Sequence, residues 1–285
     1  MLLRPSDYFR MFSGRIRKTL GQHFLIQPRT AEKIVQALMV RPGDTVIEIG
    51  PGLGALTAHL IRLPCNLHLV ELDADIAKAL QSVMPSETPA TVFWHIEDIL
   101  SSDLLNKPGE SKKAEKIKVI GNIPYSISSP LLMRLIENHR HIDRAVLMVQ
   151  REVARRWTAK PGTREYGLPT VLLACCALTE RLFYVGPGQF YPKPKVHSAV
   201  VKIKFFERAC WEYPGWPYFR QVASRLFRMR RKTVLTILKS FMDATLAEQI
   251  LREAGASPGT RPENLSPEEI LRLARSIASK GQRTD

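Results

Sequence analysis

The amino-acid sequence predicts an α/β fold with a mainly parallel sheet, followed by a small C-terminal domain made only of helices. Short β-branched segments alternate with segments of helical apolar spacing from about Ile34 to Phe206. Such alternation is typical of βαβ units, whose strands pair in parallel under a cover of helices. Beyond an aromatic- and proline-rich stretch at 207–217, every segment has helical apolar spacing, which predicts the second domain.

The individual elements follow from local patterns. Predicted strands cover Thr45–Ile49, Leu67–Leu72, Thr91–His95, Ile117–Gly121, Ala145–Val149 and Val200–Phe206. Helical spacing occurs at Ala74–Val83 and Leu131–Ile136, whereas the polar segment Pro108–Lys116 indicates a surface loop. Near the C-terminus, Ser266 precedes a proline and is followed by Glu269, the pattern of a capped helix start.

The composition favours a nucleic-acid partner. The 285 residues include 42 Lys and Arg against 27 Asp and Glu, a net charge of +15, and such an excess attracts polyanions. A generic basic surface is the alternative. No apolar run is long enough to span a bilayer, so we expect no membrane association. The four cysteines form no C-x-x-C pair, which predicts a reducing, cytoplasmic environment without disulfides or a structural metal.

The predicted boundaries divide the chain into a basic N-terminal arm (residues 1–17), the α/β domain (18–207) and the helical domain (208–285). The arm lacks the apolar core of a secretory signal. Its arginines leave two interpretations open, an organelle-targeting segment or a flexible arm that contacts nucleic-acid phosphates.

A glycine-rich loop follows the first predicted strand and opens a helix. It runs from Glu48 to Gly54 as E-I-G-P-G-L-G, and Gly50 and Gly52 let the backbone approach a ligand closely. Glu71 ends the next strand, where a carboxylate can accept hydrogen bonds from both hydroxyls of a ribose. The G-x-G-x-G spacing favours S-adenosylmethionine over NAD, and a tight turn without a ligand is the alternative.

Asp98 follows the third predicted strand. A carboxylate at that position can accept a hydrogen bond from the adenine amino group of the same cofactor. Asp is common in loops, so Asp98 alone is weak evidence for a ligand site. Together with Glu71 it would lie at the carboxyl ends of neighbouring strands, where α/β sheets bind ligands.

The tetrapeptide Asn122-Ile123-Pro124-Tyr125 follows the fourth predicted strand and is the most specific motif in the chain. The lone pair of adenine N6 is delocalised into the ring, so this nitrogen is a poor nucleophile. The Asn122 side-chain oxygen and the Ile123 carbonyl can each accept one N6–H bond, which frees the lone pair to attack a methyl sulfonium. Pro124 stiffens the turn, and Tyr125 can stack on the base. The motif therefore predicts methyl transfer to adenine N6, with an ordinary turn as the alternative.

Two further regions indicate contacts with RNA. In the loop Phe190–Val196, Phe190 can cover the second face of a base, while Lys193 and Lys195 can contact phosphate. A target adenine within a hairpin must be flipped out to reach such a pocket. A basic run that no acidic residue interrupts is expected to contact phosphates, with a solvated helix face as the alternative. It consists of Arg225, Arg228, Arg230, Arg231 and Lys232.

Together these motifs resemble the rRNA adenine N6,N6-dimethyltransferase family, of the type that acts on small-subunit rRNA. The resemblance covers nearly the whole chain. Besides the loop and the acids above, it is carried by Lys18–Leu25, Gly121–Tyr125, Gln150–Ala154, Tyr166–Gly167, the loop at Phe190 and Arg230–Thr233. It implies a Rossmann-like class I methyltransferase sheet with a small C-terminal helical domain, and S-adenosylmethionine as the cofactor.

The resemblance also implies a substrate, namely two adjacent adenosines in the 3′-terminal hairpin of 16S rRNA. Their N6 atoms would be dimethylated within the small ribosomal subunit or its precursor, during its maturation. We expect the enzyme to act as a monomer and Arg151 to contact the RNA. The cofactor-binding positions of the family correspond here to His23, Leu25, Gly50, Glu71, Asp98 and Asn122.

The sequence departs from the family pattern at two positions. The family usually has Asn where His23 stands and often has Asn where Ser126 follows the tetrapeptide. His23 can still donate one hydrogen bond. One alternative is the related branch that methylates 23S rRNA and confers macrolide resistance, which more often has Lys at the position of Leu53. The other is a non-catalytic ribosome-assembly factor on the same fold, which would not need two aligned N6 acceptors.

Overall fold

The computed structural model describes residues 2–11, 22–106, 116–210 and 215–280. The chain forms two compact units. The first comprises Met1–Ala154 and Thr179–Phe205, and the second comprises Arg155–Leu178 and Phe206–Asp285.

The strands of the described residues form two separate sheets. In chain order they are β1 (Phe24–Leu25), β2 (Thr45–Ile49), β3 (Asn66–Glu71), β4 (Thr91–Ile96), β5 (Ile117–Asn122), β6 (Ile142–Gln150), β7 (Ala177–Val185), β8 (Phe190–Tyr191) and β9 (Ser198–Phe205). Seven of them lie side by side in the order β4-β3-β2-β5-β6-β9-β7. Strands β2 to β6 pair in parallel, and β9 runs antiparallel to β6. The short strands β1 and β8 pair antiparallel in a sheet of their own.

The helices account for most of the remaining regular structure. In chain order they are α1 (Pro5–Met11), α2 (Pro28–Leu38), α3 (Thr57–Leu60), α4 (Ala74–Val83), α5 (Ser128–Glu137), α6 (Arg151–Trp157), α7 (Leu168–Ala174), α8 (Trp216–Arg228), α9 (Val234–Leu238), α10 (Ala244–Glu253) and α11 (Pro267–Ser279). Within the four described stretches, no helix is long and apolar enough to cross a membrane.

Burial of the sheet explains why its strands could be predicted. Helix α2 buries Ile34 and Leu38, four residues apart on one face, against a core cluster that includes Val46 of β2 and Leu67 and Leu69 of β3. Each Leu or Ile side chain buried in this way stabilises the fold by about 1.5–3 kcal/mol. Parallel strands covered on both faces consist of nearly continuous apolar residues. The predicted mainly parallel α/β sheet is confirmed.

The predicted domain boundary at 207/208 differs from the observed division, because Arg155–Leu178 clusters with the C-terminal residues. Helix α7 of this segment packs on α8 and α11. The backbone N–H groups of Phe206 and Cys210 donate to the carbonyls of Cys176 and Cys175, at 2.8 Å each. These long-range contacts carry no local sequence signal. The predicted helix start at Ser266 is confirmed, with both hydrogen bonds of the capping box present.

Part of the segment predicted as a basic N-terminal arm is packed on the first unit. Residues Pro5–Met11 form α1, and Leu3 and Tyr8 are buried against Phe24 and Leu53 of the first unit. These apolar side chains hold the segment on the unit, so it does not extend as a separate arm. The rest of the predicted arm (12–17) and most of the predicted loop (108–115) lie outside the described residues.

Candidate active site

A cavity lies in the first unit at the carboxyl ends of β2 to β5, the edge at which parallel sheets bind ligands. Its empty space, counted together with the solvent-filled mouth, is about 970 Å³. The predicted site residues that line it are His23, Gly50, Gly52, Glu71, Asp98, Asn122, Ile123, Pro124, Tyr125 and Phe190. Leu25, which the resemblance placed among the cofactor-binding positions, is not on this cavity. It is buried in the core cluster, because its backbone pairs with Phe190 and its side chain packs inward.

The glycine loop forms one wall of the cavity with bare backbone. Gly50 and Gly52 have φ angles of 64° and 54°, in the left-handed region that favours glycine. A Cβ on Gly52 would lie 3.1 Å from the Phe24 ring, so the loop packs closely against β1. The N–H of Gly50 donates to the Val70 carbonyl at 2.9 Å, which fastens the loop to the end of β3.

Glu71 is buried at the end of β3 and held by backbone donors. Its carboxylate accepts hydrogen bonds from the N–H groups of Gly52 at 3.2 Å and Asp73 at 3.0 Å. Burial raises the pKa of Glu71, and the backbone hydrogen bonds oppose that rise. Asp73 in turn caps α4 and accepts a hydrogen bond from the Gln22 side chain at 3.1 Å. The acid is therefore fixed between the glycine loop and the start of α4.

A pair of acids, Glu97 and Asp98, follows β4, the strand that pairs with β3. The N–H of Leu100 donates to Asp98 Oδ1 at 2.9 Å, and the hydroxyl of Ser102 donates to Glu97 Oε1 at 2.7 Å. Each bond fixes the orientation of one carboxylate at the cavity wall.

The amide of Asn122 is oriented by a long-range hydrogen bond. Its Nδ2 donates to the backbone carbonyl of His23 at 2.8 Å, so the amide presents Oδ1 as its acceptor group. The neighbouring Ile123 donates its N–H to the Met148 carbonyl at 2.9 Å, which fixes the chain as it leaves β5. Gly121 allows β5 to lie close to β2 at this point, because a Cβ on Gly121 would lie 2.6 Å from the Ile49 carbonyl oxygen.

The rings of His23 and Tyr125 lie side by side, with centroids 5.8 Å apart and planes tilted by 34°. The Nδ1 atom of His23 lies 2.7 Å from the Pro192 carbonyl oxygen. Because a carbonyl only accepts, Nδ1 donates, and Nε2 is the acceptor of the neutral ring. The hydroxyls of Tyr125 and the buried Ser198 lie 3.5 Å apart.

Phe190 and Tyr191, the two aromatic residues of the loop Phe190–Val196, occupy different environments. The register of β1 and β8 pairs Leu25 with Phe190 and Phe24 with Tyr191. Successive side chains on a strand point to opposite faces. Accordingly Phe190 is 4% exposed and lines the cavity, whereas Tyr191 is 45% exposed. The sequence alone did not separate these roles.

The predicted RNA-contacting residues are distributed over both units. In the first unit, Arg151, Lys193 and Lys195 are exposed. In the second, α8 ends at Arg228, so the basic run does not lie on one helix face.

Two members of the basic run are engaged within their own unit. The Arg225 guanidinium lies 4.2 Å from the centroid of the Phe241 ring, and Arg230 donates to the Arg164 carbonyl at 3.4 Å. The remaining members, Arg228, Arg231 and Lys232, are exposed.

Several groups at the site were missed by the sequence analysis. Asp73 could have been found, because an acid directly before a helical pattern is a preferred N-cap. Gln22, Ser198 and the Pro192 carbonyl carry no such local signal. They act through partners distant in the sequence.

Glu48, at the start of the glycine loop, is 1% exposed and accepts a hydrogen bond from the Thr57 hydroxyl at 2.8 Å. Burial raises the pKa of Glu48 from 4.5 to about 8. The folded protein therefore retains a proton that the unfolded chain has lost at neutral pH. Below the pKa of Glu48 in the unfolded chain, its protonated form contributes its full stability to the fold. That contribution is lost as the pH rises through the pKa of Glu48 in the folded protein.

Replacing Glu48 with Gln, which is neutral at every pH, is expected to flatten this dependence. The wild-type free energy of unfolding should fall between pH 4.5 and about 8, by at most about 1.4 kcal/mol per pH unit, and that of Glu48→Gln should fall less. Urea unfolding at several pH values measures both slopes. Equal slopes in the two proteins would show that another group titrates.

Comparisons with known proteins agree with this geometry. A family model described as ribosomal RNA adenine dimethylase matches residues 13–279. The ribosomal RNA small subunit methyltransferase A of Syntrophus aciditrophicus (strain SB) is 39% identical over 265 residues, covering 92% of this chain and 94% of the relative. Its namesake from Desulfotalea psychrophila (strain LSv54 / DSM 12343) is 36% identical over 287 residues, covering 94% of each chain.

Solved structures show the same fold. A dimethyladenosine transferase from Plasmodium falciparum superposes with a TM-score of 0.73 at 23% identity, covering 91% of this chain and 98% of that one. The 23S rRNA methyltransferase ErmE gives 0.69 at 25% identity, covering 90% and 99%. The predicted Rossmann-like methyltransferase fold and the family resemblance are both confirmed. With a family model spanning most of its length and relatives of nearly equal extent, the chain belongs to the ribosomal RNA adenine dimethylase family.

Proposed function

We propose that the protein transfers methyl groups from S-adenosylmethionine to N6 of two adjacent adenosines in the 3′-terminal hairpin of 16S rRNA. The substrate would be the small ribosomal subunit or its precursor. The observation that carries the proposal is the orientation of the Asn122 amide. Its Nδ2 donates a hydrogen bond to the His23 carbonyl, so its Oδ1 is the acceptor that remains for a ligand at the cavity. An N6 amino group, with two N–H donors, matches such an acceptor.

The residues of the cavity fit S-adenosylmethionine. The Glu71 carboxylate suits the ribose hydroxyls, and Asp98 suits the adenine amino group. The bare backbone of Gly50 and Gly52 allows close approach, while apolar side chains such as Ile49 and Ile99 suit an adenine ring. When bound, the cofactor supplies an electrophilic methyl group on a sulfonium.

The chain's own groups would make the adenine nucleophilic. Asn122 Oδ1 and the Ile123 carbonyl accept the two N6–H bonds, which localises the lone pair on N6. Tyr125 and Phe190, both on the cavity, hold the base by stacking. The methylated N6 is cationic and loses its proton readily, so no strong general base is needed. The fixed positions of these groups supply orientation before the reaction begins.

The small-subunit branch is favoured over the 23S branch. The relatives at 36–39% identity are named small subunit methyltransferases, whereas the 23S enzyme with a solved structure is 25% identical. The non-catalytic alternative is disfavoured because the family is one of dimethylating enzymes.

The test is transfer of labelled methyl from S-adenosylmethionine to unmodified 30S particles, with 50S particles in parallel and the modified nucleotides mapped. Label on N6 of two adjacent adenosines in the 16S hairpin is expected. Label confined to 23S rRNA would favour the other branch. Binding to 30S particles without any label would favour an assembly factor.

We also propose that Arg231 and Lys232 contact RNA phosphates. Both are exposed, and unlike Arg225 and Arg230 they can be changed without removing a contact described within their unit. The double variant Arg231→Ala/Lys232→Ala is expected to lower the log–log salt slope of RNA binding by up to about one unit per lost contact. Filter binding at several salt concentrations measures this slope.

A matched control removes two charges elsewhere. Arg140 and Lys204 are exposed near the amino end of β6, at the sheet edge opposite the cavity. The Arg140→Ala/Lys204→Ala variant should change the slope less. If both double variants change it equally, net charge rather than contact explains the effect.

A further inference from the structure

Tyr191 directly follows a residue that lines the cavity, and its own side chain is exposed. Its backbone pairs with Phe24 in the β1–β8 sheet, and the carbonyl of the next residue, Pro192, accepts a hydrogen bond from His23 at 2.7 Å. The preceding residue, Phe190, lines the cavity. An exposed aromatic ring is unremarkable by itself, but this ring is fixed one residue from the site where a base is expected to bind.

A second aromatic side chain extends this surface. The Phe9 ring of α1 lies 5.9 Å from that of Tyr191, with the planes inclined by 51°. Phe9 is itself supported by the buried Tyr8, whose ring lies 5.3 Å away in an edge-to-face arrangement. Tyr191 and Phe9 therefore form an anchored aromatic platform, named by these two residues, within the first unit.

The surroundings of the aromatic platform are cationic. Lys193 and Lys195 follow Tyr191 closely in the chain and are exposed, and Arg10 is exposed beside Phe9. Arg10 forms an ion pair with Asp7, with Nη2 and Oδ1 3.5 Å apart. No ion pair is described for the two lysines in the part of the chain that the structure covers. Aromatic rings interleaved with cations are the chemistry that binds single-stranded nucleic acid, by stacking on bases and neutralising phosphates.

We propose that the aromatic platform binds the unpaired nucleobase next to the target adenosine in the RNA strand. The proposal rests on the proposed function, because that function places the target base in the neighbouring cavity. A flipped base draws its flanking nucleotides towards the mouth of its pocket. Stacking tolerates any base, so the platform orients the strand without reading its sequence. Tyr191 is thus a substrate-positioning residue outside the cavity.

The test uses small-subunit particles whose 16S rRNA carries a synthetic 3′ segment. One segment has 2-aminopurine at a position flanking the target adenosine, and a second has an abasic site there. Wild type, Tyr191→Ala and Tyr191→Phe are compared, with Tyr184→Ala as the matched control. Tyr184 is 44% exposed in the same unit, and its ring centroid lies 4.6 Å from the Arg181 guanidinium.

On binding, wild type and Tyr191→Phe are expected to quench the 2-aminopurine fluorescence, because both keep a ring. Tyr191→Ala should lose this quench, and Tyr184→Ala should retain it. The abasic site should weaken wild-type binding by about five- to a hundredfold and leave Tyr191→Ala unaffected, since the stacking partner is already missing.

Equal quenching by wild type and Tyr191→Ala, with equal sensitivity to the abasic site, would overturn the platform. Methylation of the same particles is scored separately, so the two hypotheses can fail independently. If wild type methylates the particles, and Tyr191→Ala matches it in quenching and in sensitivity to the abasic site, the platform alone is refuted. Wild type that shows Tyr191-dependent stacking without methylation supports the platform and refutes the proposed reaction.

Discussion

Replacing Asn122 with Ala is expected to slow single-turnover methyl transfer by about 10²–10³-fold, the typical effect of removing one preorganised polar contact. The hydrogen bond to the His23 carbonyl fixes the amide before substrate arrives, so no reorganisation is needed during the reaction. Charge builds on N6 as the methyl group is transferred. The Asn122 oxygen therefore acts mainly in the transition state and affects the rate more than binding.

Affinity for RNA is expected to survive this change, because phosphate contacts spread over the basic surface supply most of it. Filter binding to 30S particles measures this directly. Cofactor affinity must be determined by calorimetry, since Asn122 and the cofactor acids line the same cavity. The comparison variant Tyr125→Ala should lower both RNA capture and rate, because its ring would hold the base. Wild-type rates in Asn122→Ala would show that the N6 acceptor role is wrong.

The parts of the fold that could be predicted are those in which a local pattern and the final burial agree. The strand Thr45–Ile49 was predicted with its observed bounds, because it is buried on both faces and consists mostly of apolar residues. The helix Ala74–Val83 has buried residues at helical spacing after an Asp cap. The Asn122 motif was found because Asn122 stands at the end of such a strand.

The parts that could not be predicted depend on contacts between distant residues. Strand β7 lies at the edge of the sheet, and its exposed Glu180 and Arg181 interrupt any apolar pattern. The β1–β8 sheet is two residues long on each side, too short for any periodicity. It nevertheless brings His23 and Phe190 to one cavity.

The basic run shows a different limit of sequence analysis. Its members look equivalent in the sequence, yet Arg225 packs on an aromatic ring while Arg231 is exposed. Whether an arginine is available to RNA is decided by tertiary packing, because its long side chain can cover apolar surface as readily as it can reach a phosphate.

Replacing Glu71 with Ala is expected to weaken S-adenosylmethionine binding at least tenfold, the loss that follows from hydrogen bonds to a charged group worth about 1.5–3 kcal/mol. The structure adds a second consequence. The N–H groups of Gly52 and Asp73 both donate to this carboxylate, so Ala leaves one part-buried and one buried donor without their acceptor. Calorimetry measures the affinity, and urea unfolding measures the accompanying loss of stability.

An analogue without the ribose hydroxyls separates direct contact from loosening of the loop. Wild type should bind S-adenosylhomocysteine more tightly than its dideoxy form, and Glu71→Ala should bind the two alike. The pH dependence supplies an independent check. Burial raises the pKa of Glu71. As the pH is lowered, the carboxylate that accepts the ribose hydroxyls is therefore protonated at a higher pH than an exposed glutamate would be. The wild-type affinity for the cofactor should fall with this protonation. Glu71→Ala should lack that fall. If the mutant still discriminates between the two analogues, the ribose is held by another group and Glu71 serves only to brace the glycine loop.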